Sequence, residues 1–334
     1  MRKILPIALV FLLLGPVAGT VQHRPVDRMI EDAADQRIVL AADQRSARPG
    51  DQLRFVEGWQ LISDHSQFGG FSALAIIGPQ RFQLVGDNGS WTRLTLGPQG
   101  RVSDVTIRRL PTPPRSPQRK AFTDVEALVY DAASGKSWVA LEGINQVWRL
   151  DAAMTRVESR RRSPALFSWP ANGGPEAMMR LADGRTLLLS ENADLDPRGT
   201  EGLVYIGDPA VPGIAPMRFF YDAEGKGQVS DAATLPDGRV LILHRRLALS
   251  PLFTTILAVA DPAEIARDGV WRSQEIGRVP DALRENYEGV AISVAGDRTF
   301  VWLVSDHNFN SWQRSLLVKF ELRALSGRKP VKAP

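Results

Sequence analysis

Residues 305–322 read SDHNFNSWQRSLLVKFEL. The segment begins with a loop rich in carboxylate and amide side chains and ends in an apolar run that suits a β-strand. A related order, in which an apolar strand ends in polar groups and a second strand follows, occurs four more times upstream. This recurrence predicts repeated β units whose shared polar loops form the candidate functional surface.

The repeat is clearest at the start of one strand in each unit. The anchor positions are Ser72, Glu126, Glu176, Asp231 and Glu288. They are separated by 54, 50, 55 and 57 residues. After each anchor strand come a turn, a second strand that ends in polar groups, a third strand and, in most units, a weaker fourth. Four strands in a unit of about 50 residues is the period of a β-propeller blade.

The predicted fold is therefore all-β, a β-propeller of five four-stranded blades. The last unit lacks a fourth strand, and residues 53–63 precede the first unit without an assignment. If that N-terminal strand pairs on the outside of the last blade, the ring closes and no edge is left open. Six blades stay possible if the arm before Gln52 and an insertion hide a degenerate blade.

Composition limits the class of protein. The 334 residues are 44% hydrophobic and 23% charged, which is typical of a globular chain. The formal charge is +4, but the arginines are scattered and no basic stripe with interleaved aromatics is present, so a nucleic-acid partner is disfavoured. The chain has no cysteine, which excludes disulfides, zinc–thiolate sites and a cysteine nucleophile.

The N-terminus predicts export. Arg2 and Lys3 precede an apolar run at residues 4–14, and small residues follow at 17–19. This is the layout of a secretory signal peptide over residues 1–19, with an uncleaved membrane anchor as the alternative. We expect a polar arm over 20–50, the propeller over 51–323 and a basic tail over 324–334. The protein would then be periplasmic or secreted, with no integral membrane segment once the signal is removed.

Acidic residues recur at two positions of the repeated unit. The innermost and second strands of a blade are antiparallel, so the start of the first and the end of the second lie at the same end of the sheet. These positions hold Asp87, Glu126, Glu142, Glu176, Glu191, Asp231, Glu288 and Asp306. Carboxylates gathered at a channel mouth repel one another and require a compensating cation or arginines. Oxygen donors without cysteine favour a hard divalent cation, calcium first and magnesium second. Alternatively, each acid only caps a turn or accepts backbone N–H groups.

The same rim carries cations, amides and histidine. Arg245, Arg246 and Arg314 are placed to bind an anion such as phosphate bidentately. Asn308 and Asn310 lie beside them in sequence. His307 is a candidate general acid or base, and a surface hydrogen-bonding role is the alternative. No Gly-x-Ser-x-Gly elbow is present, which disfavours a serine hydrolase of that type.

The motifs resemble those of the phytase-like family, exported bacterial proteins described as having esterase-like activity of phytase. The matching motifs are Phe68 to Ser72, Gly86 to Gly89, Asp124 to Leu128, Asn172 to Ala177, Ser190 to Asn192, Ser230 to Ala233, Leu235 to Gly238, Arg245-Arg246, Asn286 to Val290, Ser305 to Asn310 and Gln313 to Leu317. The resemblance covers about residues 53–322 and implies a propeller that hydrolyses phosphate esters.

Three functions remain open at this stage. The first is a metal-assisted hydrolase that acts on a small anionic substrate such as a phosphate ester. Its candidate metal ligands are Asp87, Glu126, Glu142, Glu191 and Asp231. Its candidate catalytic residues are Glu176, Glu288, Asp306 and His307, and its candidate substrate-binding residues are Arg245, Arg246, Arg314, Asn308 and Asn310. The second is a non-catalytic periplasmic propeller that binds a ligand or a protein partner. The third is a calcium-dependent lactonase or carboxylesterase.

Overall fold

The computed structural model describes residues 34–38, 44–48, 50–97, 100–111, 122–191 and 196–323. In this part of the chain, strands form five small sheets, and the innermost strands of the sheets follow one another in a ring. The prediction of an all-β, five-bladed propeller is confirmed. The predicted signal peptide, most of the polar arm and the C-terminal tail lie outside the described residues, and Asn192 does too.

The strands are numbered in chain order. Before the first blade come β1 (Ala34–Ile38) and β2 (Leu53–Ile62). Blade 1 contains β3 (Phe71–Gly78), β4 (Arg81–Gly86), β5 (Ser90–Leu96) and β6 (Val102–Arg109). Blade 2 contains β7 (Val125–Tyr130), β8 (Ser137–Leu141), β9 (Gln146–Leu150) and β10 (Val157–Arg161). Blade 3 contains β11 (Pro175–Arg180), β12 (Arg185–Ser190), β13 (Thr200–Ile206) and β14 (Met217–Asp222).

Blade 4 contains β15 (Gln228–Thr234), β16 (Val240–Leu247), β17 (Phe253–Ala260) and β19 (Gln274–Arg278). Blade 5 contains β20 (Asn286–Ala295), β21 (Arg298–Asp306) and β22 (Leu316–Leu322), and β18 (Val270–Arg272) joins blade 3. Single 3-10 turns lie at Pro164–Leu166, Pro262–Glu264 and Asp281–Leu283. Asp261 caps the second of these by accepting the N–H of Ala263 at 2.9 Å.

The N-terminal strand closes the ring as expected. β2 pairs antiparallel with β22, with Leu53 opposite Leu322 and Gln60 opposite Leu316. The closure goes further than the sequence indicates, because β1 pairs antiparallel with β2 and adds a fifth strand to blade 5. Part of the polar arm is therefore an outer strand of the last blade. The added pairing satisfies the backbone groups on the outer edge of β2.

The two short strands β18 and β19 are neighbours in the chain but belong to different blades. β18 pairs in parallel with β14, with Phe220 opposite Val270, and so becomes the outermost strand of blade 3. After Ser273 the chain returns to blade 4, where β19 pairs antiparallel with β17. This exchange of a strand fastens blade 4 to blade 3.

The hydrophobic core lies between adjacent blades. Facing sheets contribute apolar residues to five buried clusters, one for each interface between blades. In the interface of blades 5 and 1, Trp59 stacks on Trp302 at 6.1 Å and Phe82 packs against Trp302 at 4.7 Å, both measured between ring centroids. Such packing leaves the polar strand ends free to meet at the central channel. No helix in the described ranges has the length and apolar character needed to cross a membrane.

Candidate metal and catalytic site

Each innermost strand has a β-bulge near its start. The pairing register between the first and second strands skips one residue in every blade. The skipped residues are Ser72, Glu126, Glu176, Ser230 and Glu288. A bulge redirects the side chain of its extra residue, and the five bulges lie at one end of the channel. Three glutamates are therefore gathered there by a backbone feature that all blades share.

The register corrects one equivalence drawn from the sequence repeat. Ser230, and not Asp231, is the counterpart of Glu126 and Glu176. The buried carboxylate of Asp231 accepts the N–H of Ala232 at 2.8 Å through Oδ1 and the N–H of Val290 at 2.8 Å through Oδ2. Burial raises the pKa of Asp231 well above its ordinary value. The structure thus places this residue as a link between blades 4 and 5.

A second ring of polar residues comes from the ends of the second strands. In each blade, the residue before the bulge pairs with a residue of the second strand, and the next residue along that second strand is the equivalent position. The five equivalent positions are Asp87, Glu142, Glu191, Arg245 and Asp306. Four blades therefore contribute an acid and blade 4 contributes an arginine. Together with the bulge glutamates, these residues form the acidic rim of the channel.

Three carboxylates of the rim region come close enough to share a cation. One oxygen each from Asp124, Glu126 and Glu142 lies within 4.8 Å of the others. Oε1 of Glu142 also accepts the N–H of Gly173, and that of Gly174 at 3.2 Å, so its orientation is fixed by blade 3. An all-oxygen donor set of this kind fits calcium or magnesium. The sequence analysis selected Glu126 and Glu142 but missed Asp124. Its position two residues before Glu126 could have indicated a third ligand.

Burial and neighbouring carboxylates disfavour the ionised form of the glutamates in this region. Burial, followed by the negative charges of Glu176 and Glu288, raises the pKa of Glu126 well above its ordinary value. Burial and the charges of Glu191 and Glu142 raise the pKa of Glu176 in the same way. Neither Glu126 nor Glu176 accepts a hydrogen bond from the described residues, although both side chains keep some contact with solvent. A bound cation would remove this repulsion, so the residues present fit a metal.

Arg245 compensates the opposite side of the rim. Its Nη1 donates to Oε1 of Glu288 and to Oδ1 of Asn286, the latter at 3.0 Å, and its Nη2 donates to Oε1 of Glu191 at 3.0 Å. Asn286 in turn donates through Nδ2 to Oε1 of Glu288 at 2.7 Å. Burial opposes the charge of Arg245, but the neighbouring carboxylates outweigh it and raise the pKa of the guanidinium. The predicted anion-binding arginine is thus held inside an ion-pair network.

Asp306 and His307 belong to a tight loop at the mouth. Oδ1 of Asp306 accepts the N–H of Asn308 at 2.6 Å, and burial, with the charges of Glu288 and Asp87, raises the pKa of Asp306 well above its ordinary value. Nδ1 of His307 accepts the N–H of Phe309 at 3.1 Å and lies 3.5 Å from the N–H of Gly70. In the neutral ring the proton is therefore on Nε2.

Four other predicted residues are placed around this mouth but do not join the metal-ligand group. Arg246 follows Arg245 in β16, so its exposed side chain lies on the opposite face of the strand. Nε of Arg314 donates to Oε1 of Glu285 at 2.5 Å. Asn308 adopts a left-handed backbone with φ 47°, and Asn310 donates through Nδ2 to Oε1 of Gln313 at 3.0 Å. These contacts shape the loop over 306–315.

The ring of five sheets and the acidic rim of oxygen donors define the class of this protein. It is a β-propeller with a candidate site for a hard cation. Residues 66–309 match the phytase-like family, described as "esterase-like activity of phytase". The match spans most of the chain, and the protein belongs to that family. No curated protein matches the chain.

Three solved structures match the chain at low identity and low TM-score. A putative 6-phosphogluconolactonase from Bacteroides fragilis is 10% identical, with TM-score 0.41 over 84% of this chain and 82% of that one. Kuenenia stuttgartiensis hydrazine synthase is 12% identical, with TM-score 0.41 over 71% and 77% of the two chains. The Cps50 (Swd1) β-propeller domain of Myceliophteria thermophila is 11% identical, with TM-score 0.38 over 71% of this chain and 66% of that one.

Proposed function

We propose that the protein is a metal-assisted hydrolase of phosphate esters that acts at the acidic rim. The observation that carries the proposal is the group formed by Asp124, Glu126 and Glu142, with one oxygen of each within 4.8 Å of the others. Membership of the phytase-like family supports the reaction class. The apolar run at residues 4–14 supports a location outside the cytoplasm.

A hard cation bound by this group would polarise a phosphoryl oxygen and lower the pKa of a bound water. The rim itself repels anions, because its carboxylates outnumber its cations and Arg245 is already paired with Glu191 and Glu288. Arg314 is paired with Glu285 as well. We therefore expect the ester to bind only when the cation is present.

The remaining rim residues have distinct roles in this proposal. Glu176 has a pKa raised well above its ordinary value and accepts no hydrogen bond from the described residues. A carboxyl group whose pKa is closer to neutrality is an effective general base or acid. Arg245 and Asn286 fix the carboxylate of Glu288, and His307, whose Nδ1 accepts the N–H of Phe309 and leaves the proton on Nε2, is the proposed proton donor. We assign Glu176 as the general base.

The test is a comparison of calcium binding and turnover in three proteins. Wild type, Glu126→Gln and the surface control Glu264→Gln are stripped of metal and then titrated with calcium, magnesium or manganese. The thermal midpoint Tm and the hydrolysis of 4-nitrophenyl phosphate are measured at each concentration. A cation that binds only the folded state raises Tm by mass action. We expect a concentration-dependent rise and turnover in wild type and Glu264→Gln, and neither in Glu126→Gln.

Two results would overturn the proposal. A Tm rise without turnover of any phosphate ester would favour the non-catalytic binding protein. Turnover of a lactone or carboxylic ester, with no turnover of phosphate esters, would favour the lactonase or carboxylesterase. Glu176→Gln separates binding from chemistry: it should keep the calcium-dependent Tm rise and lose at least about 100-fold in turnover, the usual contribution of general acid–base catalysis.

A further inference from the structure

A cavity of about 250 Å³ lies between blades 2 and 3, away from the acidic rim. Its walls come from the ends of β7 and β11, the starts of β8 and β12, and the turn after β13. In this fold those positions lie at the end of the blades opposite the bulges. The cavity is therefore separate from the proposed catalytic site, and its function does not depend on that proposal.

The wall of the cavity is held rigidly. Asp208, in the turn after β13, accepts the indole N–H of Trp138 at 2.7 Å through Oδ1 and Nη1 of Arg149 at 2.5 Å through Oδ2. Nη1 of Arg161 donates to the carbonyls of Val211 at 2.7 Å and Ile214 at 2.8 Å. These bonds connect a loop of blade 3 to three strands of blade 2. A preformed cavity loses little conformational entropy when a ligand enters.

Most of the charge around the cavity is neutralised within the protein. Glu158 pairs with Lys136 at 2.7 Å and with Arg149 at 3.2 Å. Asp208 is the further partner of Arg149. Asp131, at the end of blade 2, accepts the hydroxyl of Ser134 at 2.5 Å. These acids thus have partners within the protein, and the pKa of Asp131 is lowered first by the hydrogen bond from Ser134 and, to a smaller degree, by the charge of Arg180.

Arg180 differs from the other two cations of the wall. Its guanidinium makes no hydrogen bond or ion pair with the residues that the structure describes, and its Cζ lies 6.0 Å from the centre of the Trp138 ring. The apolar side chains of the wall are those of Trp138, Met178, Val129 and Pro209. An arginine with free donors beside an aromatic ring and an apolar wall suits an oxyanion attached to a flat apolar body.

We propose that this cavity binds a small organic anion, with its carboxylate or phosphate on Arg180 and its apolar body against Trp138 and Met178. The volume is below the roughly 300–1,000 Å³ of pockets for drug-sized molecules, so the ligand is small. Its chemical class is an aromatic or alicyclic acid with one oxyanion group. Carboxylate and phosphate share this recognition, and the experiment distinguishes them.

The test uses the indole signal of Trp138 in the ¹⁵N-labelled full chain, assigned by comparison with Trp138→Phe. Benzoate, phenyl phosphate, benzyl alcohol and inorganic phosphate are titrated separately. The variants are Arg180→Gln and the control Arg185→Gln, which makes the same charge change on an arginine already paired with Asp183 at 2.7 Å. Glu126→Gln reports whether binding depends on the acidic rim.

We expect saturable shifts of the Trp138 signal with benzoate or phenyl phosphate, at least tenfold weaker binding in Arg180→Gln, and unchanged binding in Arg185→Gln and Glu126→Gln. Whichever of benzoate and phenyl phosphate binds more tightly identifies the preferred oxyanion. The proposal is overturned if neither acid shifts the signal, if Arg180→Gln binds as wild type does, or if benzyl alcohol or inorganic phosphate binds as tightly as the organic acids.

Discussion

Nη2 of Arg245 donates to Oε1 of Glu191 at 3.0 Å, which joins blade 4 to blade 3 at the mouth of the channel. The same guanidinium donates to Glu288 of blade 5. One side chain therefore connects three of the five blades where the carboxylates are most concentrated. It also compensates the side of the rim formed by Glu191 and Glu288, whereas the three carboxylates that could share a cation lie on the side of Glu126.

Arg245→Gln should destabilise the protein strongly at neutral pH. The Arg245 side chain is 19% exposed, so the ion pairs are largely but not fully buried, and removing one partner should cost up to about 3 kcal/mol. Urea unfolding of wild type, Arg245→Gln and Arg246→Gln measures the free energy of unfolding. The neighbouring Arg246 is exposed and should change stability little. Equal stability of all three proteins would show that the network contributes nothing measurable.

Without metal, stability should decrease as pH rises above about 4.5. The folded-state pKa values of Glu126 and Glu176 lie well above the ordinary value of 4.5, mainly because of burial. Above 4.5 the unfolded chain loses these protons while the folded protein retains them, so the folded state binds more protons and its stability falls with pH until the raised pKa values are passed.

Measurements of Tm between pH 5 and pH 8 in chelator and in calcium check this dependence. Calcium should remove most of the decrease, because bound cation stabilises the ionised carboxylates. Glu126→Gln should show a shallower slope than wild type in chelator, and Glu264→Gln should show the wild-type slope. A Tm in chelator that rises over this range would contradict the assignment of raised pKa values.

Gly70→Ala should cost more stability than Gly184→Ala and should also reduce activity. Both glycines have a positive φ, 62° and 84°, which costs an alanine about 1–2 kcal/mol. A Cβ at Gly184 has no atom within 4 Å, whereas a Cβ at Gly70 would lie 2.7 Å from Oδ1 of Asp87 and 2.7 Å from the Phe309 ring. The difference in unfolding free energy between the two variants measures the steric part. Equal losses would mean that the rim loop moves aside without cost.

Tyr221→Phe should loosen the exchange of β18 between blades 3 and 4. The hydroxyl of Tyr221 lies 2.7 Å from Nε2 of His244 and 2.6 Å from Oγ of Ser273, and all three groups are buried. Loss of the hydroxyl leaves polar groups unpaired and should cost about 1–3 kcal/mol. A double-mutant cycle with Ser273→Ala gives the coupling energy. Strictly additive effects would show that the hydroxyl and Ser273 do not act together.

His244 should not contribute a transition near neutral pH. Burial lowers the pKa of His244 to about 3, so the residue stays neutral in the folded protein until strongly acidic conditions. Because the folded pKa is below the unfolded value of about 6.5, its stabilising effect is complete above that value and is lost as pH falls towards 3. NMR titration of the His244 ring signals between pH 5 and pH 8 should show no change. A titration midpoint of His244 in that range would contradict the lowered pKa.

The sequence by itself determined the repeat and the closure of the ring, and it favoured five blades while leaving six open. Those properties are local or periodic: alternating apolar runs, turns such as that at Gly184, and an unassigned strand at residues 53–63 that an open edge requires. The acids at strand starts and ends were readable for the same reason, since antiparallel pairing places both positions at one end of a blade.

Only the tertiary structure decided which of these groups meet. The bulge register selected Ser230 over Asp231, and the pairing of β7 with β8 placed Asp124 beside Glu142. Strand exchange divided residues 271–279 between two blades, and the network of Glu191, Glu288 and Asn286 occupied Arg245. A one-residue shift in register and a contact between separate sheets cannot be predicted from the periodicity of the sequence. Both depend on how strands and blades pack in three dimensions.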